Sequence, residues 1–291
     1  MWDISVEGDH SYVAQGFVNH NSSDPNLQNI PSKGALAHSM RKVFAAQSRD
    51  DIIVDIDYSQ IELRLIAHYT KDPSLMKVFF EGLDPHQMTA DLVGVPRWLG
   101  KTLNFAVSYG SGPRTLGDTI EKSGKPRPSE AESKGWLEGF GKAYPGISSW
   151  KRAAVDYARQ LGYAKTIAGR KRRLPELTSY DRSTQGHAER QAISAIIQGS
   201  AADAFKWATV QFMPMVRWYD AKLTAEVHDE AVFEVPYECA EEFAQQVGGV
   251  MASIREQFNL RVPIEAAPSF GFNWGDAKEN DGTIPPLESR R

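Results

Sequence analysis

The sequence predicts an α+β chain in which strands near both ends flank a helical middle. Three observations carry that reading. Residues 52–57, Ile-Ile-Val-Asp-Ile-Asp, form a β-branched run, and 59–70 then change to helical spacing through Ile61, Leu65 and Ile66. From Pro73 to about Arg190 the pattern is mostly helical, broken by Gly and Pro at 94–96, 110–113, 124–128 and 144–146. AKLTAEV and EAVFEVP then read as two strands joined tightly at His228-Asp229.

The remaining elements follow in order. Residues 1–21 alternate around Ile4, Val6, Tyr12 and Val13, with Gly8-Asp9 as the turn of a short hairpin. Pro25 and Pro31 make the next stretch a loop, and 165–173, KTIAGRKRR, is the most basic segment. A long helix is predicted over about 185–213, a helix from Pro236 to about Phe258, and a last strand in RVPIEAAPS. The polar tail from Asp276 is expected to fray.

Composition narrows the function classes. The chain has 291 residues, of which 41% are hydrophobic and 24% charged, with a net charge of −4. That balance disfavours disorder and gives no global basic field, so any nucleic-acid contact must be a local patch. Cys239 is the single cysteine, which excludes an intramolecular disulfide and a cysteine zinc site. No apolar run approaches a membrane span and MWDISVEGDH lacks signal-peptide character, so a cytoplasmic location without a membrane partner is expected.

Asp57 ends the buried run and Asp229 sits at the tip of Val227-His228-Asp229-Glu230, so both should emerge at the rim of one sheet. Two acids displayed that way can hold a pair of divalent ions for in-line phosphoryl displacement, and magnesium suits them because it binds carboxylates and phosphates while keeping its waters. A pair of turn aspartates accepting backbone hydrogen bonds would have the same spacing. The words around the acids separate the two readings. DYSQIELR (57–64), RWLGKTLNFAVSYG (97–110) and VHDE (227–230) resemble, in this order, the signature motifs of family A DNA polymerases. SSDPNLQNIP (22–31), DPHQMTAD (84–91), GRKRRLPEL (169–177) and QGSAADAFK (198–206) add further matches, and the resemblance covers about 22–275. It implies a polymerase palm, an antiparallel sheet with helices, at 22–71 and 183–291, and helical fingers at 72–182. It also implies two magnesium ions at Asp57 and Asp229, with Tyr58 lending a carbonyl and Glu230 nearby.

Arg97, Lys101, Phe105 and Tyr109 recur every fourth residue, each displaced by only ~40° on a helix. One face thus carries two cations and two rings, suited to a triphosphate and to stacking on a base and sugar. The resemblance makes this helix the binder of incoming deoxynucleotide: Arg97, Lys101 and His86 on phosphates, Lys101 also as general acid, Phe105 under the sugar and Tyr109 at the templating position. Ala106 stands where many members carry glycine, and Gly100 where alanine is common. Gln60 and Ile61 fall in the same nucleotide-binding word, and Glu62 resembles the steric gate against a 2′-hydroxyl. Asn26, Asn29, Arg64, Arg190, Gln198 and His228 match positions that touch a DNA primer-template, which polar side chains position without reading sequence.

The N-terminus carries a different chemistry. In Asn19-His20-Asn21-Ser22 an asparagine amide can attack its own carbonyl, a histidine can donate a proton and a serine can act as nucleophile. WDISVEGDHSYVAQGFVNHN resembles the C-terminal end of an intein, with Asp3 and His10 in its penultimate motif, His20 and Asn21 as the terminal pair and Ser22 as the first residue retained. The resemblance implies 1–21 as an intein fragment, and an N-terminal polymerase and intein fragment as the partner joined by trans-splicing. It also implies a chain inactive until that joining, with strands missing beside 52–57. Two other readings fit less of the sequence: a splicing or interaction module with inert polymerase cargo, and a single-subunit RNA polymerase, against which Glu62 and VHDE argue.

Overall fold

The β-branched run is the centre of a sheet. A computed structural model describes residues 11–14, 17–20, 35–108 and 110–290. Its elements in chain order are β1 (Ser11–Ala14), β2 (Phe17–His20), α1 (Ala35–Lys42), β3 (Asp51–Tyr58), α2 (Ile61–Thr70), α3 (Pro73–Phe80), α4 (Pro85–Val93), α5 (Arg97–Ser108), α6 (Pro113–Lys122), α7 (Glu130–Ala143), α8 (Pro145–Leu161), β4 (Tyr163–Lys165), β5 (Lys171–Arg173), α9 (Arg182–Trp218), β6 (Lys222–Val227), β7 (Glu230–Pro236), α10 (Ala240–Ala252), α11 (Ile254–Gln257), β8 (Ala266–Gly271) and α12 (Trp274–Glu279). Contacts divide the chain into a sheet unit, residues 1–58, 209–251 and 266–291, and a helical unit, 59–208 and 252–265. The helical unit therefore takes in 59–71 and the first part of α9, beyond the 72–182 boundaries read from the sequence.

In the sheet unit the strand order is β6-β7-β3-β8, with every neighbour antiparallel. Asp51 to Asp57 pair with Pro236 to Glu230, and Ile53 to Tyr58 pair with Gly271 to Ala266. The expectation of missing strands beside 52–57 is corrected: both flanks of β3 are filled from this chain, and the edges fall on β6 and β8. Ile52, Ile53, Val54 and Ile56 are buried, which is why the run is apolar rather than alternating. Behind the sheet, Phe233 meets Phe212 and Phe243 edge-on, with ring centroids 5.4 and 5.0 Å apart.

The C-terminal segment is anchored, not frayed. Trp274 N–H donates to Phe44 O and Ala46 N–H to Phe272 O, and Trp274 is fully buried. The Asn273 side chain caps α12 at Asp276 N–H, and Arg290 donates to Ser48 O and Ala46 O. A Cβ on Gly271 would run into the backbone N of Ala277, with Ala277 Cα only 2.9 Å away, so glycine lets α12 fold back onto β8. Polarity hid this anchoring because most of the bonds join main chain to main chain or to a side chain distant in sequence. Near the N-terminus, the described pairing joins 11–14 to 17–20. The turn expected at Gly8-Asp9 lies outside the described residues.

The helical unit follows its punctuation. Pro occupies the first turn of α3, α4, α6 and α8, where the missing N–H costs nothing, and Gly94 and Gly162 close α4 and α8 at φ 75° and 73°. Asp72, almost fully buried, caps α3 and also accepts from Gly146 N–H at 2.9 Å, tying α3 to the start of α8. The basic 165–173 segment is the β4–β5 hairpin, turning at Gly169. Within it Arg170 is committed internally, to Asp203 at 2.8 Å and Gly199 O at 2.9 Å, while Lys171, Arg172 and Arg173 are exposed.

One buried cation stands apart. Lys151 on α8 donates to Val107 O at 2.5 Å, and burial alone lowers its ammonium to about 8. The folded state therefore binds fewer protons than the unfolded chain between about pH 8 and 10.5, and stability should rise with pH across that window. Lys151→Met should stabilise the protein at pH 7 by ~2 kcal/mol and flatten that rise, as read by urea unfolding from pH 7 to 10.5.

Candidate active site

β3 delivers acids to the rim of the sheet unit. Cross-strand register sets Asp57 opposite Glu230, and Tyr58 N–H donates to Asp229 O at 3.3 Å, so Asp57, Tyr58, Asp229 and Glu230 share one end of the β3–β7 pair. The turn that carries Asp229 is a two-residue loop whose first member, His228, sits at φ 60°. A histidine in the left-handed region costs roughly 1 kcal/mol, and here it buys the tight reversal that brings Asp229 beside β3. Tyr58 is buried, donates its hydroxyl to Met251 O at 2.8 Å and is pushed well above the usual phenol range, by burial first and then by Asp229. Its side chain is thus committed to the interior of the sheet unit.

Two charged residues that the motifs did not single out complete this corner. Asp55, two positions before Asp57, is wholly buried, and Lys278 of α12 reaches it. The Lys278 Nζ lies 3.0 Å from Asp55 Oδ2, an ion pair off hydrogen-bond alignment, 3.4 Å from Asp57 Oδ2 and in contact with Glu230 Oε2. Burial, and then Asp55, lifts the Glu230 carboxyl to about 7. Burial raises Asp55 as well, with Lys278 opposing it. For Lys278 burial acts downward, but Asp55, Asp57 and Glu230 together hold its ammonium above the usual lysine range. Period-2 spacing could have placed Asp55 on the face of Asp57. Nothing local pointed to Lys278.

In the helical unit the stripe forms as spaced. Arg97, Lys101 and Phe105 lie on α5, with Lys101 Nζ 6.0 Å from the Phe105 ring centroid and His86 of α4 at the same centroid distance. Lys101 and Phe105 are exposed, and Arg97 holds Asp84 through Nε at 2.6 Å. Asp84 itself caps α4 through the His86 and Gln87 N–H groups, so one carboxylate joins the helix start to the stripe. His86 is buried, with Nδ1 2.9 Å from Asn104 Nδ2. Burial lowers its pKa, Asp84 opposes that, and Lys101 and Arg97 lower it further, which favours neutral imidazole.

The other expected residues divide. Gln60 takes φ 56° just before α2, Ile61 is buried and Glu62 is half-buried in the first turn of α2. Arg64 is buried, spending Nε on Ser59 O, Nη1 on Pro263 O and Nη2 on Glu265, above the Phe79 ring. A primer contact there would have to displace bonds the fold already uses. Arg190, Gln198 and His228 are exposed. Asp3, His10, Asn21, Ser22, Asn26, Asn29 and Tyr109 lie outside the described residues, and His20 is the last residue of β2.

Gly100 explains the close seating of α5 on α4. A Cβ there would strike His86 O and come within 2.9 Å of Ala90 N, both main chain. Gly100→Ala should cost about 1–3 kcal/mol of stability, measured by thermal unfolding, and should push α5 away from α4, widening the His86–Phe105 spacing. Ala106→Gly, which only removes a methyl group from a buried position of α5, should leave the His86–Phe105 spacing unchanged.

Comparison with known proteins matches this architecture. The model of DNA polymerase family A matches residues 13–276, so the match takes in 13–21 as well as the segment from Ser22. The chain is 37% identical over 267 residues to the thermostable DNA polymerase I of Thermus aquaticus and 36% identical over 269 residues to DNA polymerase I of Streptococcus pneumoniae. Those alignments cover 89% and 88% of this chain but 31% and 30% of the relatives, so it spans about a third of their length. A solved structure, the POL domain of Pol1 from M. smegmatis in complex with DNA primer-template and dNTP, superposes with a TM-score of 0.79 at 32% identity, covering 88% of this chain and 45% of that one. Among the described residues no helix is long and apolar enough to cross a membrane. The sheet with its rim acids, the striped helix and the family match together make this chain a member of DNA polymerase family A.

Proposed function

We propose that this chain carries the nucleotidyl-transfer residues of a DNA polymerase, extending a primer 3′-hydroxyl with deoxynucleoside triphosphates on a DNA template. The observation that carries the reading is the register that brings Asp57 of β3 beside the Asp229 turn. Family membership and the M. smegmatis neighbour, which holds primer-template and dNTP, support the same substrates. On the helical unit, Arg97 and Lys101 bind the triphosphate, His86 contacts it as a neutral donor, and Phe105 and Tyr109 offer rings to sugar and base. Lys101, which is exposed on the same helix face, protonates the leaving pyrophosphate. Glu62, with Gln60 and Ile61 beside it, closes against the sugar 2′ position. Arg190, Gln198, His228, Asn26 and Asn29 position the duplex.

The donor set fits magnesium. Asp57, Asp229 and the Tyr58 carbonyl are hard oxygen donors at one rim, and Glu230 keeps a buried Oε1 without a hydrogen-bond partner. Among the described residues no group of three His, Cys, Asp or Glu is placed to hold a metal, so the ions would have to take their remaining ligands from substrate phosphates and water. Two bound magnesium ions would stabilise charge on the phosphate and lower the pKa of the attacking hydroxyl. Asp57→Ala or Asp229→Ala should lower primer extension by at least a hundredfold while leaving primer-template affinity within about threefold, since each removes several kcal/mol of transition-state stabilisation. Extension above a tenth of the parent rate in both variants, measured on labelled primers, would contradict the assignment.

A second reading concerns residues 1–22. The run His20-Asn21-Ser22, directly before SSDPNLQNIP, supports a splice junction at which Asn21 cyclises, His20 assists and Ser22 is joined to an N-terminal polymerase fragment, with Asp3 and His10 supporting the step. The β1–β2 pairing ending at His20 is compatible with a hairpin leading to that junction. Mixed with a partner carrying the other intein portion, the chain should release 1–21, and Asn21→Ala should block that release, read by intact-mass spectrometry. Equal release from Asn21→Ala would dismiss splicing and leave the polymerase reading untouched.

A further inference from the structure

The β4–β5 hairpin concentrates charge that the fold does not neutralise. Residues 163–173 hold five cations and no acid. Strand register sets Tyr163 opposite Arg173 and Lys165 opposite Lys171, so the two-residue alternation of strands puts these four side chains on one face. The Lys171 Nζ, 4.7 Å from the Tyr163 ring centroid, agrees with that placement. Ala164, on the other face, is buried, which turns Lys165, Lys171 and Arg173 outward, and all three are exposed. Among the described residues none of the three is paired with an acid, whereas Arg170 holds Asp203 of α9.

We propose that this face of the hairpin is a second DNA-binding surface, on which Lys165, Lys171 and Arg173 hold backbone phosphates of DNA lying outside the nucleotidyl-transfer site. The choice of DNA as the polyanion rests on the proposed polymerase function. Three outward cations without an acid complement phosphates spaced along a strand, and the half-buried Tyr163 ring, covered by Lys171, is not presented for stacking, so the contact reads no sequence. The hairpin is fixed at its turn. Arg170 donates to Asp203 at 2.8 Å and to Gly199 O at 2.9 Å, Thr166 bonds the other Asp203 oxygen, and Ile167 N–H donates to Ser200 Oγ at 2.9 Å. A Cβ on Gly199 would lie 2.7 Å from Thr166 Cγ2, so glycine lets the turn seat on α9. That seat also separates the face from the duplex contact. Arg190 packs against the end of α5, where a Cβ on Gly110 would meet its Cγ at 3.2 Å. Gly199 and Asp203 lie about 180° and 220° further around the axis of α9, so the hairpin docks on the side away from Arg190.

The test is binding of the full chain to a labelled primer-template whose duplex and template overhang each run several helical turns, read by fluorescence anisotropy over a series of salt concentrations. Lys165→Gln, Lys171→Gln and Arg173→Gln combined should weaken binding about tenfold at low salt. They should also make the fall of log affinity with log salt shallower by about 2.7, since each phosphate contact contributes about 0.9. Each substitution alone should lower that slope by about 0.9, so the outcome does not depend on the triple variant folding. Lys122→Gln, Lys134→Gln and Lys142→Gln combined remove the same charge from exposed positions of α6 and α7, and should leave the slope within about 0.5 of the parent. On a primer-template cut to about one helical turn the hairpin variant should bind within about twofold of the parent. Unchanged affinity and slope in the hairpin variants, as for a face that meets an acidic protein instead, overturns the proposal. So does an equal loss in the control triple or on the short DNA. Arg190→Ala separates the two levels. If it weakens primer-template binding while the hairpin variants do not, this inference alone falls; if the parent binds no DNA, the polymerase reading and this inference fall together.

Discussion

Putting carboxylates on the central strand of an apolar sheet creates a charge that something must compensate. Here the compensation comes from the other end of the sequence, where α12 sends Lys278 to Asp55, Asp57 and Glu230. Removing one partner from such a buried group is costly, about 3–5 kcal/mol in typical cases, so the sheet, its acids and the C-terminal helix are interdependent. The same dependence explains why β3 needs β8 as well as β7. Strand β8 leads directly into the turn that returns α12 to the sheet.

The helical unit solves a different problem, how to present cations and rings on one face without letting the helix drift. Asp84 does this by capping α4 and holding Arg97, and Asn104 does it by engaging His86. Gly100 permits main chain to approach main chain, so α4 and α5 are fixed by backbone contact rather than by adjustable side chains. Lys151 adds a cation at the C-terminal turn of α5, where carbonyl groups favour positive charge.

Sequence legibility followed the locality of the signal. The β3 run, the β6–β7 reversal at His228-Asp229, the long α9 and the Gly and Pro boundaries of the fingers-like helices were all readable, because each depends on residues close in sequence. The stripe of Arg97, Lys101 and Phe105 was readable for the same reason. The internal partners of Arg64, Ser59, Pro263 and Glu265, were not legible, because its motif position says nothing about what surrounds it in the fold. The anchored tail and Lys278 were invisible, since a polar segment looks alike whether it frays or docks by hydrogen bonds to a segment more than 200 residues away. Asp55 lay between the two cases: its spacing from Asp57 was visible, its burial was not.

The reading proposed for the rim of the sheet is that Asp57 and Asp229 hold metal there, with the Lys278 ammonium seated on the neighbouring acids. Anomalous diffraction from crystals of the chain soaked with Mn2+ and a deoxynucleoside triphosphate tests it most directly. The account predicts anomalous density coordinated by the Asp57 and Asp229 carboxylates, with Lys278 still seated on Asp55 and Glu230. Density at neither Asp57 nor Asp229 would contradict it.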